Sequence, residues 1–243
     1  ASPAARVCCG RGRRTLKKDA LPGERGASFF YGSQCAEKEK IMIKNIVFDM
    51  GNVLTEYDSA RVCSRIISSE ALKKKIDQTV FVSPEWVLLD MGVISEEAAL
   101  KRMLSRLDTE EEKRLAATCF EQWHLYNMNP KPGMGELVRE LKDKGFGLYV
   151  CSNASLRLLE CCGRVIPEAR LFDGMLFSAE VKCMKPQKEM YGQLFTRFNI
   201  RPEESFFIDD WDLNLEGAEA CGMKGYCFAD GDVEKLRQVL NRF

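Results

Sequence analysis

Residues 41–54 read IMIKNIVFDMGNVL, and the arrangement of the rest of the chain follows from this stretch. Its first eight residues, Ile41 to Phe48, are an apolar run interrupted only by Lys44 and Asn45, with the length and β-branched content of a buried strand. Asp49 follows at once, Gly51 turns the chain, and Val53-Leu54 lead it back to an apolar interior. A strand apolar on both faces belongs in a parallel sheet covered by helices on each side. Its neighbours in the sheet must therefore come from elsewhere in the chain.

They do not come next. From Tyr57 to Pro130 the periodicity is helical: Val62, Ile66 and Ile67 recur at helical spacing, as do Ala99, Met103 and Leu107. Ser95 is placed to cap a helix opening at Glu96-Glu97, and Thr109 with Glu112 has capping-box spacing. After Pro132 helices and strands alternate. Helices are expected over Glu136–Lys144, Ser155–Cys162, Gln187–Phe198, Leu213–Cys221 and beyond Asp232; strands over Gly147–Cys151, Gly174–Phe177, Phe206–Ile208 and Gly225–Phe228. The expected fold class is α/β: a three-layer, Rossmann-like parallel sheet core with an all-helical cap inserted after the first strand. Residues 41–56 and 131–243 form the core and 57–130 the cap. Residues 1–40, rich in Gly, Arg and Lys and without either periodicity, read as a disordered extension.

Composition narrows the function. Of 243 residues, 45% are apolar and 30% charged, as in ordinary globular proteins, and 36 basic residues balance 36 acidic ones. A formal charge of zero gives no electrostatic reason to expect nucleic acid or an anionic membrane as partner. Eleven cysteines include the adjacent pairs Cys8-Cys9 and Cys161-Cys162, but no zinc-knuckle spacing. Together with the missing secretory pattern they imply reduced thiols, mostly small core residues, and a cytoplasmic setting. The single histidine, His124, excludes a histidine-rich metal centre.

In a sheet of this kind ligands collect beyond the carboxyl ends of the strands. Asp49, Ser152 and Asp209-Asp210 terminate apolar strands there, and Lys185 lies on the connection after the Gly174 strand. Their convergence at one edge of the sheet is the main evidence for chemistry; a carboxylate after a strand would be a weak signal by itself.

Four ordered motifs sharpen this: FDMGNVL at 48–54, VCSN at 150–153, KP at 185–186 and IDDWDLNLEGA at 208–218. Together they resemble the haloacid-dehalogenase-like hydrolase superfamily. The cap position is similar to that of its sugar-phosphatase branch, small glucose-1-phosphatase-like members in particular. The resemblance spans 42–243 and implies a magnesium-dependent phosphomonoester hydrolase acting through an aspartyl-phosphate on a small phosphometabolite, a sugar phosphate above all. It makes Asp49 the nucleophile, with Ser152 and Lys185 as further catalytic groups. It makes Asp49, the Gly51 carbonyl, Asp209 and Asp210 the Mg2+ ligands. Ser152, Asn153 and Lys185 are then expected to bind the phosphoryl group, Trp86 and Asp90 of the cap to face the substrate, and Asn214 to position loops. The expected partner is a small phosphorylated metabolite, with no nucleic acid or membrane, and the chain a monomer or weak homodimer.

One position departs from the pattern. Many phosphatases of this superfamily carry a second aspartate two residues after the nucleophile, the general acid and base, where this chain has Gly51. Candidate replacements are water, the substrate itself, or a polar residue such as Tyr57, Asp58 or His124. The same glycine keeps a metal-independent 2-haloacid dehalogenase among the alternatives, beside a phosphotransferase or mutase and a catalytically weak protein that binds a partner or phosphometabolite. Asp209-Asp210 weighs against the dehalogenase, since a bare anion cluster repels a haloacid.

Overall fold

The computed structural model describes residues 42–243; the expectation for 1–40 falls outside them. Strand β1 (Asn45–Phe48) is the centre of a five-stranded sheet. The chain then forms β2 (Thr55–Tyr57) and five helices: α1 (Ala60–Ile66), α2 (Glu70–Val80), α3 (Pro84–Asp90), α4 (Glu96–Leu104) and α5 (Glu110–Tyr126). It returns through β3 (Met128–Pro130), which pairs antiparallel with β2. This two-stranded ribbon joins the helical cap to the core, and periodicity gave no sign of it. The remainder is α6 (Met134–Asp143), β4 (Gly147–Ser152), α7 (Arg157–Val165), β5 (Gly174–Phe177), α8 (Ser178–Val181), α9 (Lys188–Phe198), β6 (Ser205–Asp209), α10 (Asp212–Ala220), β7 (Lys224–Cys227) and α11 (Val233–Leu240).

The sheet order is β5-β4-β1-β6-β7, all parallel. Side chains alternate between its faces, as the pleat requires. Ile46 and Phe48 of β1 join one apolar cluster with Met134, Leu137, Leu158 and Leu236, so α6, α7 and α11 cover that face. Val47 joins the other cluster, with Met190, Tyr191 and Leu194 of α9 and Ala218 of α10. These are the expected three layers.

The first cluster does not stop at the core. It runs on into the cap through Ile76, Val80, Leu89, Met103, Leu115, Phe120 and Trp123, and includes Val62, Ala99 and Leu107 from the helical pattern. The caps are as read from the sequence: Ser95 Oγ accepts from the Ala98 amide, and Thr109 and Glu112 form a reciprocal capping box. Cys63, Cys119, Cys151, Cys161 and Cys183 are buried core residues. Among the described residues no helix is long and apolar enough to cross a membrane.

Candidate active site

Register places the acidic groups. Phe48 lies opposite Ile208, so the next residues along the two strands, Asp49 and Asp209, emerge side by side at the carboxyl edge. The Asp49 amide donates to the Ile208 carbonyl at 2.8 Å, which extends the pairing one residue beyond β1. Asp49, Asp209 and Asp210 each offer a carboxylate oxygen within 4.8 Å of the others. Three anions so close require positive charge. Lys185 supplies one: its Nζ is 2.7 Å from Asp49 Oδ1 and 2.6 Å from Asp209 Oδ2, with its side chain 1% exposed.

The pair with Asp49 is an ionic contact without hydrogen-bond alignment, since among the described residues no donor points at the buried Oδ1. Burial pushes the Asp49 carboxyl up to about 6; Lys185 pulls it down and Asp209 pushes it up again. Burial would weaken the Lys185 ammonium, but the Asp49 and Asp209 carboxylates outweigh that and hold its proton above the usual lysine range.

The acids differ in what they have left to give. Asp209 is wholly buried and its oxygens are engaged: Oδ2 accepts from Lys185, and Oδ1 accepts from the Trp211 amide at 3.0 Å and Asn214 Nδ2 at 2.9 Å. Asp210 is partly exposed, and its carboxylate accepts from Asn52 Nδ2 at 3.1 Å. Ser152 ends β4 and is 2% exposed. Asn153 spends its amide on the lysine: Nδ2 donates to the Lys185 carbonyl at 3.0 Å and Oδ1 accepts from the Lys185 amide at 2.8 Å. It thereby ties the turn that carries Lys185 to the end of β4.

Apart from the buried Asp209, the polar groups at the strand ends open onto one cleft of about 260 Å³. Asp49, Ser152, Asn153, Lys185, Asp210 and Asn214 form its floor, and Tyr57, Trp86, Asp90 and Trp123 its cap side. Trp86 also packs edge-on against Phe81, Phe120 and Trp123, so it serves the cap core and the cleft together. Of the candidates to replace the carboxylate missing at Gly51, Tyr57 lines the cleft and Asp58 and His124 do not; His124 lines a separate depression with Arg157 and Arg164. A Cβ built on Gly51 meets no atom within 4 Å, so that place is open space. Sequence reasoning passed over Met50, Met128, Ser155, Leu158 and Trp211, which also line the cleft. Adjacency to Asp49 and to Asp210 was a usable signal for Met50 and Trp211; Met128, Ser155 and Leu158 are brought there by the tertiary fold.

The haloacid dehalogenase-like hydrolase family matches residues 43–222. The chain belongs to that family. It is 27% identical over 199 residues to a sesquiterpene phosphatase of Aspergillus oryzae, covering 81% of this chain and 96% of the relative. It is 28% identical over 116 residues to a phosphorylated carbohydrates phosphatase of Thermotoga maritima, covering 47% of this chain and 50% of that protein. Among solved structures, a HAD-like hydrolase from Porphyromonas gingivalis superposes with a TM-score of 0.59 at 22% identity, over 76% of this chain and 91% of that one. A HAD enzyme from Bacteroides thetaiotaomicron, solved with magnesium and inorganic phosphate, gives 0.58 at 21% identity, over 76% and 93%. The two structural likenesses share the fold: a parallel sheet with an inserted helical cap. The chain is thus a HAD-type hydrolase whose aspartate cluster is able to coordinate a divalent metal.

Proposed function

We propose that the protein is a magnesium-dependent phosphomonoester hydrolase that acts on a small phosphometabolite through an aspartyl-phosphate at Asp49. The observation that carries this reading is the cluster of Asp49, Asp209 and Asp210, with one buried ammonium, that of Lys185, bridging Asp49 and Asp209. The donor set fits a hard cation: all ligands are oxygens, and among the described residues Asp49 Oδ1 lacks an aligned donor. Asp49, Asp210 and the Gly51 carbonyl would hold Mg2+, while Asp209, already engaged on both oxygens, supports the site by fixing Lys185 and Asn214. When bound, the ion offsets the repulsion between a carboxylate nucleophile and an anionic phosphate.

The chain's own groups then divide the work. An Asp49 oxygen attacks phosphorus as the ester P–O bond breaks, and the alcohol leaves with a proton. Water next attacks phosphorus, the bond to Asp49 breaks, and orthophosphate leaves. Lys185 holds its charge beside the phosphoryl oxygens, where negative charge spreads in the transition state. Ser152 offers a short hydroxyl donor at the end of β4. Asn153 holds the Lys185 main chain in place.

A sugar phosphate is the leading substrate class, supported by the resemblance to the sugar-phosphatase branch and by the carbohydrate phosphatase relative. A second reading, a phosphate ester of an apolar alcohol, is favoured by the wall of Tyr57, Trp86, Trp123, Met50, Met128 and Leu158. Each buried sugar hydroxyl needs a polar partner, and that wall offers few. The sesquiterpene phosphatase, matched over nearly its whole length, supports the same reading.

Phosphate release from a panel of sugar and apolar phosphates, with magnesium or with chelator, tests the reaction. Asp49→Ala is expected to abolish release, and chelator to do the same reversibly. Turnover that survives Asp49→Ala in clean protein overturns the assignment.

A further inference from the structure

The reaction above releases an alcohol and later activates water, and both events move a proton. The chain has no carboxylate at position 51 to move it, and the space there is open. Asp49 is committed to phosphorus, Asp209 is engaged on both oxygens, and Lys185 lies between Asp49 and Asp209. With Asp210 assigned to the metal, a carboxylate that carries the proton has to reach the cleft from another element.

Asp90 does. It is the last residue of α3, and it lines the same cleft as Asp49, Ser152 and Lys185. The cap does not hold it loosely. Its carbonyl accepts from Ser178 Oγ, and that Oγ in turn accepts from the Ala154 amide at 2.8 Å. The Ser155 main chain lies against its carboxyl and favours the charged form. Both partners flank the VCSN strand end that carries Ser152. Two residues on, Gly92 comes so close to the core that a Cβ there would lie 2.2 Å from the Ala179 carbonyl oxygen. Main chain and side chain of Asp90 are thus both tied to the loop that binds the phosphoryl end, although the residue belongs to the cap.

We propose that Asp90 is the general acid and base of this hydrolase, supplied from the cap in place of the carboxylate that position 51 lacks; the proposal rests on the phosphatase reading above. As the P–O ester bond breaks, the Asp90 carboxyl gives its proton to the departing alkoxide. The resulting carboxylate then takes a proton from the water that attacks the aspartyl-phosphate. Orthophosphate leaves, and both aspartates return to their starting states.

The surroundings suit that cycle. Removal from water pushes the Asp90 carboxyl up to about 7, against the Ser155 main chain, which lowers it. Its place at the negative end of α3 also favours the neutral form. A group that titrates near neutrality serves well both as donor and as acceptor. The ionisable groups facing it are Tyr57 from β2 and, across the cleft, Asp49, Lys185 and Asp210. Tyr57 is a poor rival, because burial and the Asp90, Asp77 and Asp58 charges hold its hydroxyl above the usual tyrosine range. It has no accessible phenolate to accept a proton.

Leaving-group dependence separates a proton donor from a structural or substrate-binding group. Asp90→Asn is compared with the parent on an alkyl phosphate, whose alkoxide needs a proton, and on 4-nitrophenyl phosphate, whose phenolate does not. The expected loss in kcat/KM is about 10²–10⁴-fold on the alkyl ester, against less than about tenfold on the aryl ester. On the aryl ester, kcat falls and a burst of nitrophenolate marks phosphoenzyme that now hydrolyses slowly. The parent's kcat/KM on the alkyl ester falls as pH rises through about 7, and that limb is lost in the variant. Equal losses on both esters, or undiminished alkyl turnover, overturn the proposal. Should the variant not fold, the parent alone decides: a falling limb with the alkyl ester and none with the aryl ester supports Asp90, and the same limb with both overturns it. A parent that hydrolyses neither ester, or an active Asp49→Ala, would instead refute the phosphatase reading.

Discussion

Lys185 is a single cation between two buried carboxylates, and its loss has two separable costs. Without it Asp49 and Asp209 face each other unneutralised, and breaking a buried pair in this way costs about 3–5 kcal/mol. Lys185→Met is therefore expected to melt well below the parent in chelator, and magnesium to restore part of the deficit by supplying charge to the same acids. Turnover is expected to fall by roughly 10²–10³-fold even with saturating magnesium, because the proposed mechanism sets this ammonium beside the phosphoryl group. Melting curves and rates measured with and without the metal check both costs. Asp90 carries a pH prediction. Its carboxyl is raised from 3.8 to about 7 in the fold, so its contribution to stability is complete below its ordinary range and is lost as pH rises through about 7. Asp90→Asn keeps the shape but cannot ionise. The parent is expected to lose melting temperature between pH 5 and 8 relative to this variant; parallel curves would mean that the carboxyl does not titrate there.

At the scale of elements, α3 and its exit loop decide where Asp90 stands. Gly92 has φ +66° and sits against the Ala179 backbone, so Gly92→Ala strains both conformation and contact. The expected cost is about 1–3 kcal/mol, with a larger fractional loss of activity, because α3 must draw back from the Ser152 loop. Thr109→Ala is the counterpart: it removes half of the α5 capping box, far from the cleft, for about 1 kcal/mol of stability and unchanged kcat. Denaturant melts paired with kcat/KM distinguish the two. These elements also separate what was legible in the sequence from what was not. The caps at Ser95 and Thr109 are local hydrogen-bond patterns and were readable as such. Asp49 and Asp209 stood out because an acid at the end of a buried apolar strand is costly without a purpose. The β2–β3 ribbon is only three residues on each side, too short to show a period, and its pairing spans most of the cap. Asp90 was expected to face the substrate, but not to carry a proton, because its neighbours Ser155 and Ser178 are distant in sequence.

For the whole molecule, the order of strand, helical insertion and alternating strands and helices sufficed for the architecture, because a lone buried strand can be satisfied only by a sheet that closes later in the chain. How firmly the cap sits on that sheet depends on contacts that no periodicity reports. The apolar cluster crosses the boundary without a break, and one core side chain adds a polar clasp. Arg157 of α7 donates through Nε to Glu96 Oε1 at 2.8 Å and through Nη1 to the carbonyls of Phe120 at 2.9 Å and Glu121 at 3.0 Å, so it holds α4 and α5 at once. Methionine keeps most of its apolar volume but none of its donors. A charged hydrogen-bond cluster is worth about 1.5–3 kcal/mol, which corresponds to a factor of about 10–100 in the equilibrium between seated and lifted cap. The continuous apolar cluster keeps the chain folded, so Arg157→Met is expected to lower global stability by no more than that amount. The seated population is expected to fall instead, seen as faster hydrogen exchange in α4 and the second half of α5 than in α9 and β6. Because the cap brings Trp86 and Asp90 to the cleft, kcat/KM is expected to fall with it, while metal affinity at the core aspartates stays unchanged. Uniformly faster exchange across core and cap would mean that Arg157 stabilises the fold as a whole and does not govern the seating of the cap.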